Sequence, residues 1–365
     1  MKIKLYLPVL ILFTLSSCQK KESSFEQTPL IIQPQPDAKS EFKSLNSVLE
    51  QYDTSMQIFT VSGKQPTTVK GKNGTEILVE PIHLMMVNGE ALGDKIVVEL
   101  KELINQEHLL RSNAQTISDG KLLISGGAYY INFTSNGKQI QLKEGKSVSV
   151  SFPKLTSKEM QLFFGERDTF GQMNWQLAGQ SFESRTKPVV AKDSVLNVSV
   201  NSSDEINDLL AYIEKEPTKP LTQKEKKAIK EQKENFDLTN KLYQSVELKQ
   251  LGWINCDRFY DVKNRTNLHY AFTEKDSFTC VNVYLVFKDM NSLMQDSYFK
   301  SDDNYFYRGF LNIPTGAKTK LIAFSVKNGK TYTYQSDVII TPDATIELTL
   351  EETNTEDLAK FFQLE

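Results

Sequence analysis

Asn-Gly and Asp-Gly steps recur through residues 56–153, at Asn73-Gly74, Asn88-Gly89, Asp119-Gly120 and Asn136-Gly137, each between short runs rich in apolar and β-branched residues. A two-residue hairpin loop needs positive φ at its central residues, which Asn, Asp and Gly tolerate best. This punctuation leaves no room for long helices and predicts strands over 57–61, 75–80, 96–103, 121–124, 128–133, 139–142 and 148–152. Strands at such regular spacing argue for a β-sandwich. The pattern returns after Trp253, with strands expected at 281–287, 305–311, 320–326, 332–340 and 345–350 and turns at Pro314-Thr315-Gly316 and Asn328-Gly329. With 365 residues, the chain exceeds the usual single domain. The fold class expected is mainly β: two β-sandwich-like domains joined by a helical segment, after an N-terminal lipoprotein signal and a flexible tether.

The N-terminus sets the expected address. Lys2 and Lys4 precede an apolar run over residues 5–15, which has the length of a signal peptide rather than of a membrane span. The run closes on Leu15-Ser16-Ser17-Cys18, which resembles the lipobox of bacterial lipoproteins. That resemblance implies acylation of the Cys18 thiol and cleavage before it, with small residues giving the peptidase access. Two or three acyl chains, at about 0.8 kcal/mol per buried methylene, hold a protein firmly on a bilayer. Gln19 stands where retention in the inner membrane would need Asp, so the outer membrane is expected, on its periplasmic face or at the cell surface. Gln19-Lys20-Lys21-Glu22 partly resembles a surface-export signal, with Lys21 where an acidic residue belongs.

Composition divides the rest. Residues 1–17 read as signal peptide and 18–40 as lipidated Cys and tether, with Pro34 and Pro36 opposing regular structure. Phe42, Leu45, Val48 and Leu49 fall at helical spacing. The first sandwich is expected over 41–155, an irregular connector holding Trp175 over 156–203, and a helical linker over 204–248. In that linker Ile206, Leu209, Leu210 and Ile213 share a face, and Thr222 with Glu225 forms a capping box. The second sandwich-like domain is expected over 249–365, with a short closing helix at 355–364.

Three segments of the first sandwich carry a further likeness. Gly74-Thr75-Glu76-Ile77-Leu78-Val79-Glu80-Pro81, then Gly93-Asp94-Lys95-Ile96-Val97-Val98-Glu99-Leu100, then Gly120-Lys121-Leu122-Leu123-Ile124-Ser125-Gly126-Gly127 resemble the β-domain shared by zonula occludens proteins, netrin receptors and ankyrins. The resemblance implies an interaction or tethering module. Some relatives cut themselves at a His-Phe-Ser step, but the three histidines here occur as His83-Leu84-Met85, His108-Leu109-Leu110 and His269-Tyr270-Ala271. The second sandwich fits an immunoglobulin-like or carboxypeptidase-accessory-like fold.

The chain offers few frames for chemistry. Its 43 Lys and Arg against 46 Asp and Glu give no basic excess for nucleic acid. The histidines lack a His-Glu-x-x-His spacing. Gly145-Lys146-Ser147 ends like a phosphate loop, but Ile140 stands where the motif needs Gly, and Leu123 stands where a nucleophile elbow would need Gly before Ser125. Cys256 and Cys280 could join in an oxidising envelope, where closing about 25 residues would stabilise by roughly 3 kcal/mol, or stand as two separate buried thiols. Asp302-Asp303-Asn304 reads as a solvated turn rather than a calcium loop. Beside it Tyr305, Phe306, Tyr307 and Phe310 read either as an aromatic binding patch or as strand residues packing a core.

The function expected is therefore that of a lipid-anchored envelope lipoprotein acting as a non-catalytic binding or scaffolding module, without cofactor or metal. The alternatives are a carbohydrate- or peptide-binding accessory protein, or a structural subunit of an envelope complex. Its partners would be the membrane, through Cys18, and a protein or glycan.

Overall fold

Two strands show what the apolar runs are for. The 15-residue strand Lys121–Ser135 and the eight-residue strand Cys280–Phe287 are buried along almost their whole lengths, so each packs on both faces. The computed structural model describes residues 36–156, 158–169, 171–180, 182, 188–190, 197–199, 243–273, 278–299 and 309–364. Residues 34–365 form one compact unit. The described residues are mainly β.

The largest sheet has nine strands. Its main path is antiparallel throughout and runs β1 (Gln57–Ser62), β5 (Lys95–Leu103), β7 (Lys121–Ser135), β15 (Gly252–Phe259), β10 (Gln161–Arg167) and β11 (Met173–Leu177). At its margins lie β4 (Leu84–Met86), β6 (Ile117–Ser118) and β8 (Lys138–Leu142). Facing it is a four-stranded sheet ordered β14 (Tyr243–Leu248), β9 (Val148–Pro153), β3 (Glu76–Val79) and β2 (Thr67–Lys70). β12 (Pro188–Val190) pairs with β13 (Asn197–Ser199).

A second pair of sheets follows. One is ordered β19 (Gly309–Pro314), β16 (Arg265–Phe272) and β22 (Ala344–Leu348), with the last pair parallel. The other is ordered β18 (Ser292–Phe299), β17 (Cys280–Phe287), β20 (Lys318–Lys327), β21 (Lys330–Ile339) and β23 (Glu351–Thr353). Three α-helices complete the described residues: α1 (Pro36–Tyr52), α2 (Gln106–Arg111) and α3 (Thr355–Phe361).

Strand alternation sorts the side chains into three cores. In the first sandwich, Ile96, Val98 and Leu100 of β5 meet Val148, Val150 and Phe152 of β9, and the Tyr129 and Phe152 rings lie 4.3 Å apart. In the second, Val281, Val283, Leu285 and Phe287 of β17 pack with Leu268, Phe310 and Leu348. The opposite face of β17, through Tyr284 and Val286, enters a third core. There Ile322 and Phe324 of β20 meet Leu45 and Leu49 of α1, Leu109 and Leu110 of α2, and Phe361 and Phe362 at the C-terminus. Leu123, Phe163, Met173 and Trp175 bring the first sheet into the same cluster. Each large apolar side chain buried there contributes about 1.5–3 kcal/mol.

Hydrogen bonds stitch the seam. Thr116 N donates to Leu293 O at 2.8 Å and Leu293 N to Thr116 Oγ1 at 3.0 Å. Ser125 N donates to Asn291 O at 2.9 Å, Asn291 Nδ2 returns to Ser125 O at 3.0 Å, and Ser292 Oγ reaches Leu123 O at 2.6 Å.

Several expected boundaries move. The connector expected over 156–203 supplies β10 and β11 to the first sheet, because Leu162 and Phe163 serve opposite cores. At the end of the expected helical linker, Tyr243–Leu248 is a strand on β9, burying Val246 and Leu248 while Glu247 stays exposed. Residues 204–242 lie outside the described residues. Gly252–Phe259, inside the range expected for the second sandwich-like domain, forms β15, which lies between β7 and β10 in the first sheet. The strands expected at 121–124 and 128–133 are continuous, because Gly126 lets the β15 backbone approach: a Cβ there would sit 2.7 Å from Cys256 O. α1 begins inside the range expected for the tether, and α3 falls where the closing helix was expected.

Trp175 fills the third core with no exposed surface, and its Nε1 donates to Gln115 O at 2.6 Å. Trp175→Ala is expected to lower unfolding free energy by about 3–5 kcal/mol, measured by urea denaturation of the whole chain.

Candidate functional site

The site begins with the way α2 ends. Asn105 caps its start, accepting from His108 N at 2.9 Å, and the helix closes when Asn113 takes a left-handed φ of 48°, a conformation Asn tolerates. The terminal carbonyls of such a helix need donors. Arg167, at the end of β10, supplies them: Nη2 donates to Ser112 O at 2.7 Å, and Nη1 to Asn113 O and Gly171 O, both at 2.6 Å. Its guanidinium lies 4.9 Å from the centre of the Trp253 ring on β15, within cation–π range. Burial lowers the Arg167 pKa, and the nearby Asp53 carboxylate opposes that shift.

Asp53, just past the end of α1, faces the same place. It accepts from Ser112 Oγ at 2.5 Å and pairs with Lys101 of β5. Between α1, α2, the β10–β11 turn and Trp253 lies a cavity of about 230 Å³ lined by Leu49, Asp53, Arg111, Asn113, Arg167 and Trp253 among others. A second cavity of about 240 Å³ shares Asp53 and Arg111 and adds Thr54, Ser55, Gln57, Lys72 and Glu102.

Glu102 occupies a core-facing position at the end of β5 and is 1% exposed. Its carboxylate accepts from Gln57 Nε2 at 2.8 Å, Asn73 N at 2.8 Å and Thr75 N at 3.1 Å, which pins the β2–β3 turn. Arg111 Nη2 pairs with Glu107 at 2.7 Å. Its Nε is buried without a hydrogen-bond partner. His108 borders the second cavity, and burial lowers its pKa. The arrangement provides fixed donors and acceptors, with most ionised groups held by a partner within the fold. That is chemistry suited to binding.

A second polar cluster lies inside the first sheet, where β15 bulges between Asn255 and Asp257. Ser125 Oγ donates to Asn255 Oδ1 at 3.2 Å and accepts from Gly127 N at 3.1 Å, while Asn255 Nδ2 donates to Asp257 Oδ2 at 2.6 Å. Burial pushes the Asp257 carboxyl up to about 8, against hydrogen bonds from Ser125, Asn255 and the Gly126 backbone that lower it. Ser125, singled out in the sequence, is thus a buried joint of the bulge.

The residues expected to matter fall differently. Cys18, Tyr305, Phe306 and Tyr307 lie outside the described residues. Phe310 is 2% exposed and packs in the core of the second sandwich, so it contributes packing there and offers no face to a ligand. Cys256 and Cys280 form no disulfide, because Cys256 sits in the first core and Cys280 in the third. Burial also pushes the Cys256 thiol well up. Asp53, Arg111 and Arg167 were not singled out in the sequence, where they lie far apart. Among the described residues no group of three His, Cys, Asp or Glu side chains converges to hold a metal. No protein-family model matches the chain, and no curated protein matches it.

Asp257 gives a pH test. Its carboxyl is raised in the folded protein above its ordinary value of 3.8, so the native state holds the proton more tightly than the unfolded chain. Its contribution to stability is full below about pH 4 and is lost as pH rises through about 8. Melting temperature is therefore expected to fall as pH is raised across that window, and Asp257→Asn is expected to flatten the fall.

Proposed function

We propose that this chain is a lipid-anchored protein of the bacterial cell envelope, held in the outer membrane through Cys18, whose joined sandwiches serve as a non-catalytic binding or scaffolding module. The observation that carries the reading is the succession of Lys2 and Lys4, the apolar run over 5–15 and Leu15-Ser16-Ser17-Cys18. The cavities around Asp53 and Arg111 support the binding role, since their charged groups are pre-positioned by the fold. A glycan-contacting patch that includes Phe310 is disfavoured by that ring's burial.

The test is metabolic labelling with an alkyne analogue of palmitate in a Gram-negative host, followed by membrane fractionation. The wild-type chain is expected to take up label and partition with outer membranes, and Cys18→Ser to lose both properties. An unlabelled wild type, or a Cys18→Ser chain that keeps its label, overturns the anchor.

A further inference from the structure

We infer that the free edge of β21 pairs with the same edge of a second copy of this chain, joining the two five-stranded sheets into one across a twofold axis. The inference names a partner for the scaffolding module and rests on that reading, but not on the lipid at Cys18.

The hairpin fixes which backbone groups are free. Asn328 and Gly329 both take positive φ, 52° and 74°, so β20 and β21 meet through a two-residue turn that makes Lys327 and Lys330 a hydrogen-bonded pair. By the alternation of an antiparallel ladder, Thr331, Thr333, Gln335, Asp337 and Ile339 then turn their N–H and C=O groups away from β20. β23 takes up Thr331 and Thr333, which lie opposite Thr353 and Glu351. Among the described residues no strand pairs with the outward side of Gln335, Asp337 or Ile339. An edge of that kind is a template for another strand.

Side chains decide which strand fits. Pairing β21 with itself about Ser336 sets Gln335 of each copy opposite Asp337 of the other, so that an amide donor meets a carboxylate. Asp337 also pairs with Lys288 at 2.5 Å, which balances its charge at the junction. The same register sets Tyr334 of one copy opposite Val338 of the other on the inner face. Both side chains are half-buried against the core of the second sandwich, and the second copy extends that core across the edge. Ile339, 64% exposed, comes to lie opposite Thr333 of the second copy. A register centred on Asp337 would set the two carboxylates against each other, and one centred on Val338 would set Asp337 against Ile339. A contact between identical edges closes at two copies.

The experiment is light scattering of the purified full chain as it leaves a sizing column, in detergent with micelles in excess over protein. It covers about a hundredfold range of concentration, because a single strand pair is a small interface. The wild type is expected to pass from monomer to dimer mass as concentration rises. Gln335→Pro, which removes an outward N–H at an exposed edge position, is expected to weaken dimerisation about tenfold or more with an unchanged melting temperature. Single cysteines read the register. Mild oxidation is expected to link Ser336→Cys chains, whose Cα atoms face each other at about 4.5 Å across the axis, and to leave Gln335→Cys chains unlinked, because their Cα atoms lie beyond the roughly 7 Å that a disulfide spans. If Gln335→Pro lowers the melting temperature, the cysteine variants decide the matter. A wild type that stays monomeric, dimers that survive Gln335→Pro, or Gln335→Cys chains that link as fast as Ser336→Cys chains overturn the inference. Palmitate labelling reads Cys18 alone, so the anchor and this interface fail separately.

Discussion

The third core is the constraint on which the rest of the structure depends. Without it, the first sheet would expose Phe163 and Trp175, β17 and β20 would expose Tyr284, Ile322 and Phe324, and the helices would have nothing to cover. Neither sandwich can bury these faces alone, so the chain brings its N-terminal and C-terminal helices together over them. Tyr52 and Phe362 meet there with ring centroids 5.0 Å apart, and Phe324 and Phe362 at 6.0 Å. Paired hydrogen bonds between residues 116–125 and 291–293 then fix the relative position of the two sandwiches. The two cavities that share Asp53 and Arg111 follow from the same arrangement, since α1, α2 and β10 are placed by that core.

Polar groups are buried where this construction needs joints. Arg167 satisfies the end of α2, Glu102 pins the β2–β3 turn, and the Ser125–Asn255–Asp257 cluster accommodates the bulge of β15 against Gly126 and Gly127. In each case a charged or polar side chain takes up backbone groups that apolar packing would leave unsatisfied. The Asp257 carboxyl shows the cost, since burial holds it protonated well above the ordinary carboxylate range. Arg111 differs, because part of its donor capacity stays unused in the fold.

Local patterns were legible where they decided the outcome. Asn136 and Gly137 take φ of 51° and 71° in the β7–β8 turn, and Asn328 and Gly329 take 52° and 74° in the β20–β21 turn, as the dipeptides predict. Leu45 and Leu49 likewise place α1. Where two periods coexisted, pairing across long sequence separations chose between them. Tyr243 and Val246 suit a helix face, but Val246 and Leu248 also alternate, and β9 captures them as a strand. Proximity in sequence likewise suggested that β15 belongs with the later strands, yet its neighbours are β7 and β10. The candidate site was not legible, because Asp53, Arg111, Arg167 and Trp253 come from four separate elements with no local motif among them.

Because the third core is shared, the two sandwiches are expected to unfold as one unit. Hydrogen exchange of the whole chain, read by mass spectrometry across a urea series, tests it directly through peptides covering β5 and β9 of the first sandwich and β16 and β19 of the second. All four are expected to lose protection at the same urea concentration, and Phe361→Ala with Phe362→Ala is expected to separate them into two transitions. Two distinct transitions in the unmodified protein would contradict it.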